Sequence, residues 1–393
     1  MRRTADVVVI GGGCMGASTA YHLTRRGVRG VVLAEREPQL GGGSTGRNAG
    51  GVRHQFSHEA NVRLSIESIR ALERFADEVG AEIDLRQHGY LFLLSSGASV
   101  EAFRHGIELQ RRLGVAVDWL TPADAARLAP GLDTRGACAA TFCARDGLAD
   151  PNGVTMGYAR AARAAGAEIL RGTAVTGIRV EHGRVSGVET TAGPIHAPAV
   201  VDAAGPWARE VGRMAGLEVP VDPLRRHIFI AVPTAGGTWD DPPHRGRVPA
   251  DRIMVIDFDT TFYFHREGGG LLFGMGDPGE QLGYDVTVRW DFLPRVVETG
   301  LTRLPALADA AVSHAWAGLY EMTPDAMPLI GPAIGLPGFY LVTGFSGHGF
   351  QHSPAAGRIL ADVITGRDPG IDLAPFAPDR FAAGRAVGEV HVV

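Results

Sequence analysis

The first residues able to do chemistry are Gly11, Gly13 and Gly16, spaced G-x-G-x-x-G. Before them runs the β-branched stretch Val7, Val8, Val9, Ile10. After them come a helical pattern to Arg26, a second apolar run at Val31, Val32 and Leu33, and the acid Glu35. Strand, tight turn, helix, parallel strand and acid in that order form a dinucleotide-binding unit. Gly11 lets the chain turn, Gly13 leaves room for a pyrophosphate, and Gly16 lets the helix pack on the strand, whose helix N-terminus then faces the phosphates. Glu35 stands where a carboxylate accepts hydrogen bonds from a ribose. Arg36 hints at a 2′-phosphate, but Glu35 would repel one, so FAD or NAD is preferred to NADP.

A second set follows in Gly41-Gly42-Gly43-Ser44-Thr45-Gly46-Arg47-Asn48-Ala49-Gly50-Gly51-Val52-Arg53. The run is too polar and flexible for a helix or strand, and its place after the second strand makes it either a cofactor loop or a solvent linker. A third set lies late in the chain, where Gly338 to Gly344 reads as a strand and Ser353 to Thr365 as a helix. The turn between them gathers amides and a helix N-terminus at one point, which suits an electron-rich atom.

These sites need elements to position them. Ser57 to Val79 carries apolar residues at helical spacing, Gly89 to Leu94 reads as a buried strand, and helices are expected over Ser99 to Leu113 and from Pro122. A second α/β unit resumes near Asp150, with strands at Ala167 to Arg171, Ala174 to Val180 and Arg184 to Thr191, then Val200 to Trp207 ending in a small-residue turn. From Val221 strands dominate, at Leu224 to Val232, Ile253 to Asp257, Thr261 to Arg266 and Gly270 to Met275, followed by a helix over Arg289 to Leu304. The expected fold is α/β plus α+β: a Rossmann-like domain from residues 1–84, 146–219 and 320–393, interleaved with a domain on a mostly antiparallel sheet from 85–145 and 220–319.

Composition narrows the function classes. With 393 residues, 45% apolar content and a net charge of -5, the chain is an ordinary globular protein without the basic excess of a nucleic-acid binder. No apolar run is long enough to span a membrane. Arg2 and Arg3 before the first strand superficially resemble a secretion signal, but the apolar run is too short, and a cytoplasmic protein is expected. Cys14, Cys138 and Cys143 match neither a zinc site nor a disulfide framework, so no metal is expected and the thiols read as free. All 38 basic residues other than histidine are arginine. No lysine can form a Schiff base or polarise a bound oxygen, and cationic roles fall to arginine or histidine.

At four places the chain resembles the FAD-dependent amine oxidoreductases of the D-amino-acid oxidase and glycine oxidase group, most of all sarcosine oxidases and their β subunits. These are the N-terminal fingerprint, the Gly-Ser-Thr-Gly-Arg-Asn-Ala-Gly-Gly-Val-Arg loop, Asp-Ala-Ala-Gly-Pro-Trp at 202–207, and Gly-Phe-Ser-Gly-His-Gly-Phe-Gln at 344–351. The resemblance implies that Gly11, Gly13, Gly16, Glu35 and Arg36 surround the ADP part. It places Ser44, Thr45, Asn48, Ala49, Gly50 and Gly51 along the diphosphate and flavin, Val175 at the adenine side, and Ala204, Gly205, Trp207 and Gly318 beside the cofactor. Gly344, Gly347, His348, Gly349, Phe350 and Gln351 form the turn that offers amides to the flavin pyrimidine. Arg53 clamps a substrate carboxylate, Tyr263 and Tyr320 stand over the substrate, and His348 has a structural or electrostatic role.

Residues that attach flavin covalently in relatives are replaced by Gly318 and by Asn48 or its neighbours, which implies noncovalent FAD. The oxygen-activating lysine of monomeric sarcosine oxidases is replaced by Leu272, and the carboxylate-side lysine by Gln351. The implied activity is oxidation of a sarcosine-like amino acid by hydride transfer to flavin N5, with oxygen as acceptor and hydrogen peroxide as product. The alternatives are a proline or dimethylglycine-like dehydrogenase that passes electrons to another carrier, possibly within a hetero-oligomer, and a flavoprotein assembly factor.

Overall fold

The β-branched run Val7–Ile10 forms a strand with every residue buried, inside a six-stranded sheet. The computed structural model describes residues 3–392. Met1, Arg2 and Val393, which include one arginine of the signal-like pair and the outer limits assigned to the first domain, lie outside the described residues. Val31–Ala34 and Ala199–Asp202 flank the central strand in parallel. Glu168–Leu170 and Phe339–Thr343 extend the sheet in parallel, and Leu329–Pro332 closes one edge antiparallel. Alternation divides the central strand: Val7 and Val9 pack with the helices Cys14–Arg25, Pro151–Ala164 and Gly349–Ile364. Val8 and Ile10 face the opposite core, with the strands Val175–Glu181 and Arg184–Thr190 and the helix Ala208–Met214. A strand buried on both faces needs an unbroken apolar run, which Val-Val-Val-Ile supplies.

The second sheet has eight strands. In spatial order they are Ala310–Met322, Asp222–Pro233, Gly270–Met275, Phe262–Glu267, Met254–Asp257, Tyr90–Leu94, Ala139–Cys143 and Asp118–Leu120. Every pairing is antiparallel except Met254–Asp257 with Tyr90–Leu94. One face packs a core of Phe229, Leu271, Phe273, Phe262, Phe264 and Val296. The other face turns Tyr320, Arg226, Tyr263 and Tyr90 toward the first sheet.

Several elements differ from the sequence reading: the helix expected over 353–365 begins at Gly349, and the strands Asp118–Leu120, Ala139–Cys143 and Leu329–Pro332 have no counterpart in it. The helix expected over 57–79 is split into Glu59–Glu73 and Phe75–Val79, with Arg74 leaving helical geometry at ψ 12°. The helix expected over 289–304 is confined to Leu293–Leu301. The longest strand, Ala310–Met322 with 13 residues, has no clear strand signal, because alanine and polar residues blur its alternation. Its 12-residue partner Asp222–Pro233 supplies the pairing that alanine-rich sequence does not advertise. No helix among the described residues is long and apolar enough to cross a membrane.

Candidate active site and cofactor cleft

A cleft of about 680 Å³ runs from the glycine fingerprint to the seam between the two sheets. At its first end Gly13 stands as N-cap of the helix Cys14–Arg25, with no side-chain cap and no acid in the first turn. A Cβ on Gly13 would meet one protein atom, Thr45 Oγ1 at 3.1 Å, and would otherwise project into open space. That is a cradle shaped for an anion held by helix amides. Gly16 has the packing role expected of it, since a Cβ there would lie 1.9 Å from the Gly11 carbonyl oxygen. Glu35 accepts from the Gly12 and Glu37 amides at 2.6 and 2.8 Å, which fixes its carboxylate at the cleft wall. Arg36 lies 3.9 Å over the Trp207 ring, and Val175 and Gly205 line the same cleft.

The loop after the second strand lines the cleft through Ser44, Thr45, Asn48, Ala49 and Gly51. Thr45 Oγ1 accepts from the Cys14 amide at 3.1 Å and Ser44 Oγ donates to the Leu319 carbonyl at 2.6 Å. Asn48 holds the loop itself, donating to Thr45 O and accepting from Gly50 N, both at 2.6 Å. Gly50 and Gly344 stand outside the lining of the cleft. Both have positive φ, at 74° and 76°, and a Cβ would strike Ala149 O at 2.7 Å or Thr323 Cγ2 at 2.5 Å. Their glycine identity serves chain turns and packing.

At the seam, tyrosines of the second sheet rest on glycines. A Cβ at Gly51 would lie 1.9 Å from the Tyr90 hydroxyl, one at Gly347 would lie 2.3 Å from Tyr320 Cε2, and one at Gly274 would lie 2.5 Å from the Tyr263 hydroxyl. Gly51 and Gly347 thus admit aromatic rings from the opposite sheet. Burial pushes the phenols of Tyr90, Tyr263 and Tyr320 up, so all three stay neutral at ordinary pH. Leu272 is buried in its strand and is not a cleft residue; Gly274 is the strand position paired with Tyr263.

Arg53 is 7% exposed and lines the cleft. Its guanidinium donates to Gln55 O and, at 2.6 Å, to His391 O, and lies 3.8 Å over the Phe56 ring. Its backbone amide donates to Gln351 Oε1 at 2.6 Å, so Gln351 positions Arg53 instead of offering a second cation. Among the described residues no carboxylate lies within 4.0 Å of this guanidinium. Burial pulls its pKa down, as expected for a cation lacking an anionic partner.

Ser346, Gly347 and His348 turn the chain into the helix Gly349–Ile364, and Gly349, Phe350 and Gln351 place its first amides at the cleft. Pro354 inside the helix removes one amide, and Ser353 Oγ donates instead to the Phe350 carbonyl at 2.8 Å. His348 is buried with an unpartnered Nε2; burial first, then the Arg53 charge, pushes its pKa down to about 3. It is therefore a neutral imidazole and adds no positive charge. Gly318, a bare backbone position in the wall, has no atom that could bond covalently to a flavin.

Several residues that line the cleft lacked a sequence signal: Tyr90, Arg226, Glu321 and Val392, the last carried on a tail anchored by Glu389. Glu389 accepts from the Ser57 and His58 amides and from Asn61 Nδ2 at 2.8, 3.1 and 3.0 Å. It thereby holds the tail so that His391 O meets Arg53 and Val392 reaches the cleft. His54, Cys143 and Asp146 also converge, but His54 Nδ1 and Asp146 Oδ1 are 2.6 Å apart. That is a hydrogen bond, too close for two ligands each about 2.0–2.2 Å from one ion. The three cysteines are free, with Cys14 and Cys143 buried.

A family model described as FAD dependent oxidoreductase matches residues 6–363. The chain belongs to this family. The resemblance read from the motifs therefore holds for family, fold and FAD dependence. Human mitochondrial sarcosine dehydrogenase is 32% identical over 392 residues, covering 96% of this chain and 41% of its own length. Mouse mitochondrial dimethylglycine dehydrogenase is 30% identical over 394 residues, with 96% and 44% covered. The chain thus spans less than half of these curated relatives, and their mitochondrial location differs from the cytoplasmic expectation. The crystal structure of L-proline dehydrogenase from P. horikoshii superposes with a TM-score of 0.89 at 34% identity, covering 98% of this chain and 100% of that one. Glycine oxidase from Geobacillus kaustophilus gives a TM-score of 0.82 at 25% identity, with 96% and 99% covered.

Proposed function

We propose that this FAD dependent oxidoreductase oxidises the C–N bond of a small N-methyl or cyclic secondary amino acid. The observation that carries the proposal is Arg53, a buried cation with no carboxylate within 4.0 Å among the described residues, beside neutral tyrosines in the cofactor cleft. Buried charges are normally paired, so an anionic group of the substrate completes this one. Sarcosine, dimethylglycine, proline and glycine, the amino acids in the names of the relatives, all carry the carboxylate required.

The residues around the cleft fit FAD: the Gly13 cradle for the diphosphate, Glu35 for the ribose, and the Ser346–Gln351 turn for the ring system. Bound FAD supplies a two-electron acceptor for the C–H bond next to nitrogen. Arg53 orients the carboxylate, held in turn by Gln351 and by the tail at His391. Tyr90, Tyr263 and Tyr320 exclude water and present neutral phenols to the amine. The first amides of Gly349–Ile364 favour negative charge at the ring edge beside them. Water hydrolyses the imine product, to an amine and an aldehyde from an N-methyl amino acid and to a single ring-opened amino-carbonyl compound from a cyclic one. FAD is held without a covalent bond, since Gly318 has no side chain to form one. Electrons leave to oxygen, yielding hydrogen peroxide, or to another carrier; the absence of any lysine above the cofactor supports the carrier and a dehydrogenase, with a partner protein as acceptor.

Arg53→Met is expected to weaken amino-acid binding by about tenfold to a hundredfold, the worth of a charge-assisted hydrogen-bonded pair. Anaerobic titration of the bound flavin with substrate measures it. An unchanged dissociation constant would remove Arg53 from the binding site.

A further inference from the structure

A second cation in the cleft has no role in the account above. Arg226 lies on the strand Asp222–Pro233 and lines the cleft beside Ile228. Its neighbour Arg225 points to the other face and pairs with Glu280 at 3.0 Å and with Asp285 at 2.5 Å. Arg226 has no such partner: among the described residues, no carboxylate lies within 4.0 Å of it. Its Nη1 donates to Arg225 O at 3.3 Å, and its Nε is buried with nothing to bond.

The place of the guanidinium is defined by its surroundings. Its carbon stands 5.0 Å from the centre of the Tyr320 ring. Arg226 pairs across the strands with Gly318, and Gly276, whose Cβ would lie 3.7 Å from the guanidinium, also leaves it room. Tyr320 and Arg53 line the same cleft as Arg226. One cleft thus offers two guanidinium groups, each able to hold an anion. An unpaired, partly buried donor fork is the arrangement that binds a carboxylate in two-pronged fashion.

We propose that Arg226 is a second anion subsite and that the amino acid oxidised carries a second carboxylate on its side chain or N-substituent. The inference rests on the reading of Arg53 as the site of the first carboxylate. A monocarboxylic amino acid held at Arg53 would leave Arg226 without a counterion. A dicarboxylic one satisfies both guanidinium groups.

The test uses the FAD-loaded protein and acids that cannot be oxidised, read by perturbation of the flavin absorption spectrum. Malonate, succinate and glutarate are compared with acetate, propionate and butyrate. The expected result is that at least one diacid binds the wild type more tightly than its monoacid counterpart by about tenfold or more. Arg226→Gln abolishes that preference with a far smaller change in monoacid binding, and Arg226→Lys retains part of it, with flavin content reporting that each variant folds. N-methylaspartate and N-methylglutamate, compared with sarcosine as reductants, then show the same preference in turnover. No diacid preference in the wild type would overturn the proposal, as would equal loss of monoacid and diacid binding in Arg226→Gln. Arg53→Met separates the two readings: if monoacid binding survives that change, the Arg53 assignment fails, whatever Arg226 does.

Discussion

Replacing Gly13 with alanine should separate cofactor binding from folding. The Gly13 backbone is extended, at φ -77° and ψ -176°, where alanine is unstrained. The added methyl would touch one protein atom, Thr45 Oγ1 at 3.1 Å. That crowding is offset by the lower chain entropy of an unfolded alanine, about 0.4–1 kcal/mol. The apoprotein melting temperature should therefore move by no more than about 4 °C. In the holoprotein the methyl stands where a phosphate would approach the helix amides. Losing one charge-assisted hydrogen bond costs about 1.5–3 kcal/mol, or about tenfold to a hundredfold in FAD affinity. Quenching of flavin fluorescence on titrating apoprotein with FAD measures the affinity, and thermal unfolding of the same sample measures the fold. Gly16→Ala is the contrast: its methyl would collide with the backbone oxygen of Gly11, and both quantities should fall. Unchanged FAD affinity in Gly13→Ala, or a loss seen only together with apoprotein collapse, would refute the cradle.

Two further changes probe buried acids. Burial pushes Asp202 up to about 8, with the like charge of Glu321 adding to it and the Ala204 amide opposing. A raised carboxyl contributes stability below its unfolded value of 3.8 that is lost as pH rises toward about 8. Asp202→Asn should therefore gain on the wild type from about pH 5 to about pH 8, by up to about 1.4 kcal/mol per pH unit. Parallel denaturation curves across that range would show that Asp202 is ionised throughout. Glu389 has the opposite sign: burial would raise it, but His391 and the hydrogen bonds from Ser57 and Asn61 outweigh burial and hold it down to about 2. Its contribution is present above its unfolded value of 4.5 and is lost as pH falls toward about 2. Glu389→Gln should destabilise the protein at neutral pH by about 1.5–3 kcal/mol and raise KM more than it lowers kcat, because His391 O would no longer fix Arg53; an unaltered KM would disconnect the tail from the site.

The parts of the site legible in the sequence were those made by local chain geometry. The fingerprint from Gly11 to Gly16, the Ser44 to Arg53 loop and the turn before Phe350 each combine glycine with a neighbouring strand or helix pattern, and each lies at the cleft. Glycine alone was less informative. Gly50 and Gly344 satisfy turns, while Gly51 and Gly347 make way for Tyr90 and Tyr320, and sequence spacing does not distinguish these uses. Residues brought in by strand pairing were also hidden. Arg226 sits in an ordinary Arg-Arg-His run, and the different fates of Arg225 and Arg226 follow from the alternation of a strand whose partner, Ala310–Met322, had no clear signal. Asp202 and Glu321 became noteworthy only through burial that depends on the whole fold.

The most direct measurement is anaerobic mixing of the purified FAD-loaded protein with sarcosine, dimethylglycine, L-proline, glycine, N-methylaspartate and N-methylglutamate, followed by admission of air. The account predicts bleaching of the flavin by at least one of these amino acids, with slow recovery in air and fast recovery with an artificial electron carrier. Fast recovery with peroxide would make the protein an oxidase and contradict the role given to the missing lysine. A flavin that stays oxidised with every amino acid, including the N-methyl dicarboxylates, would contradict the proposal that this cleft oxidises amines.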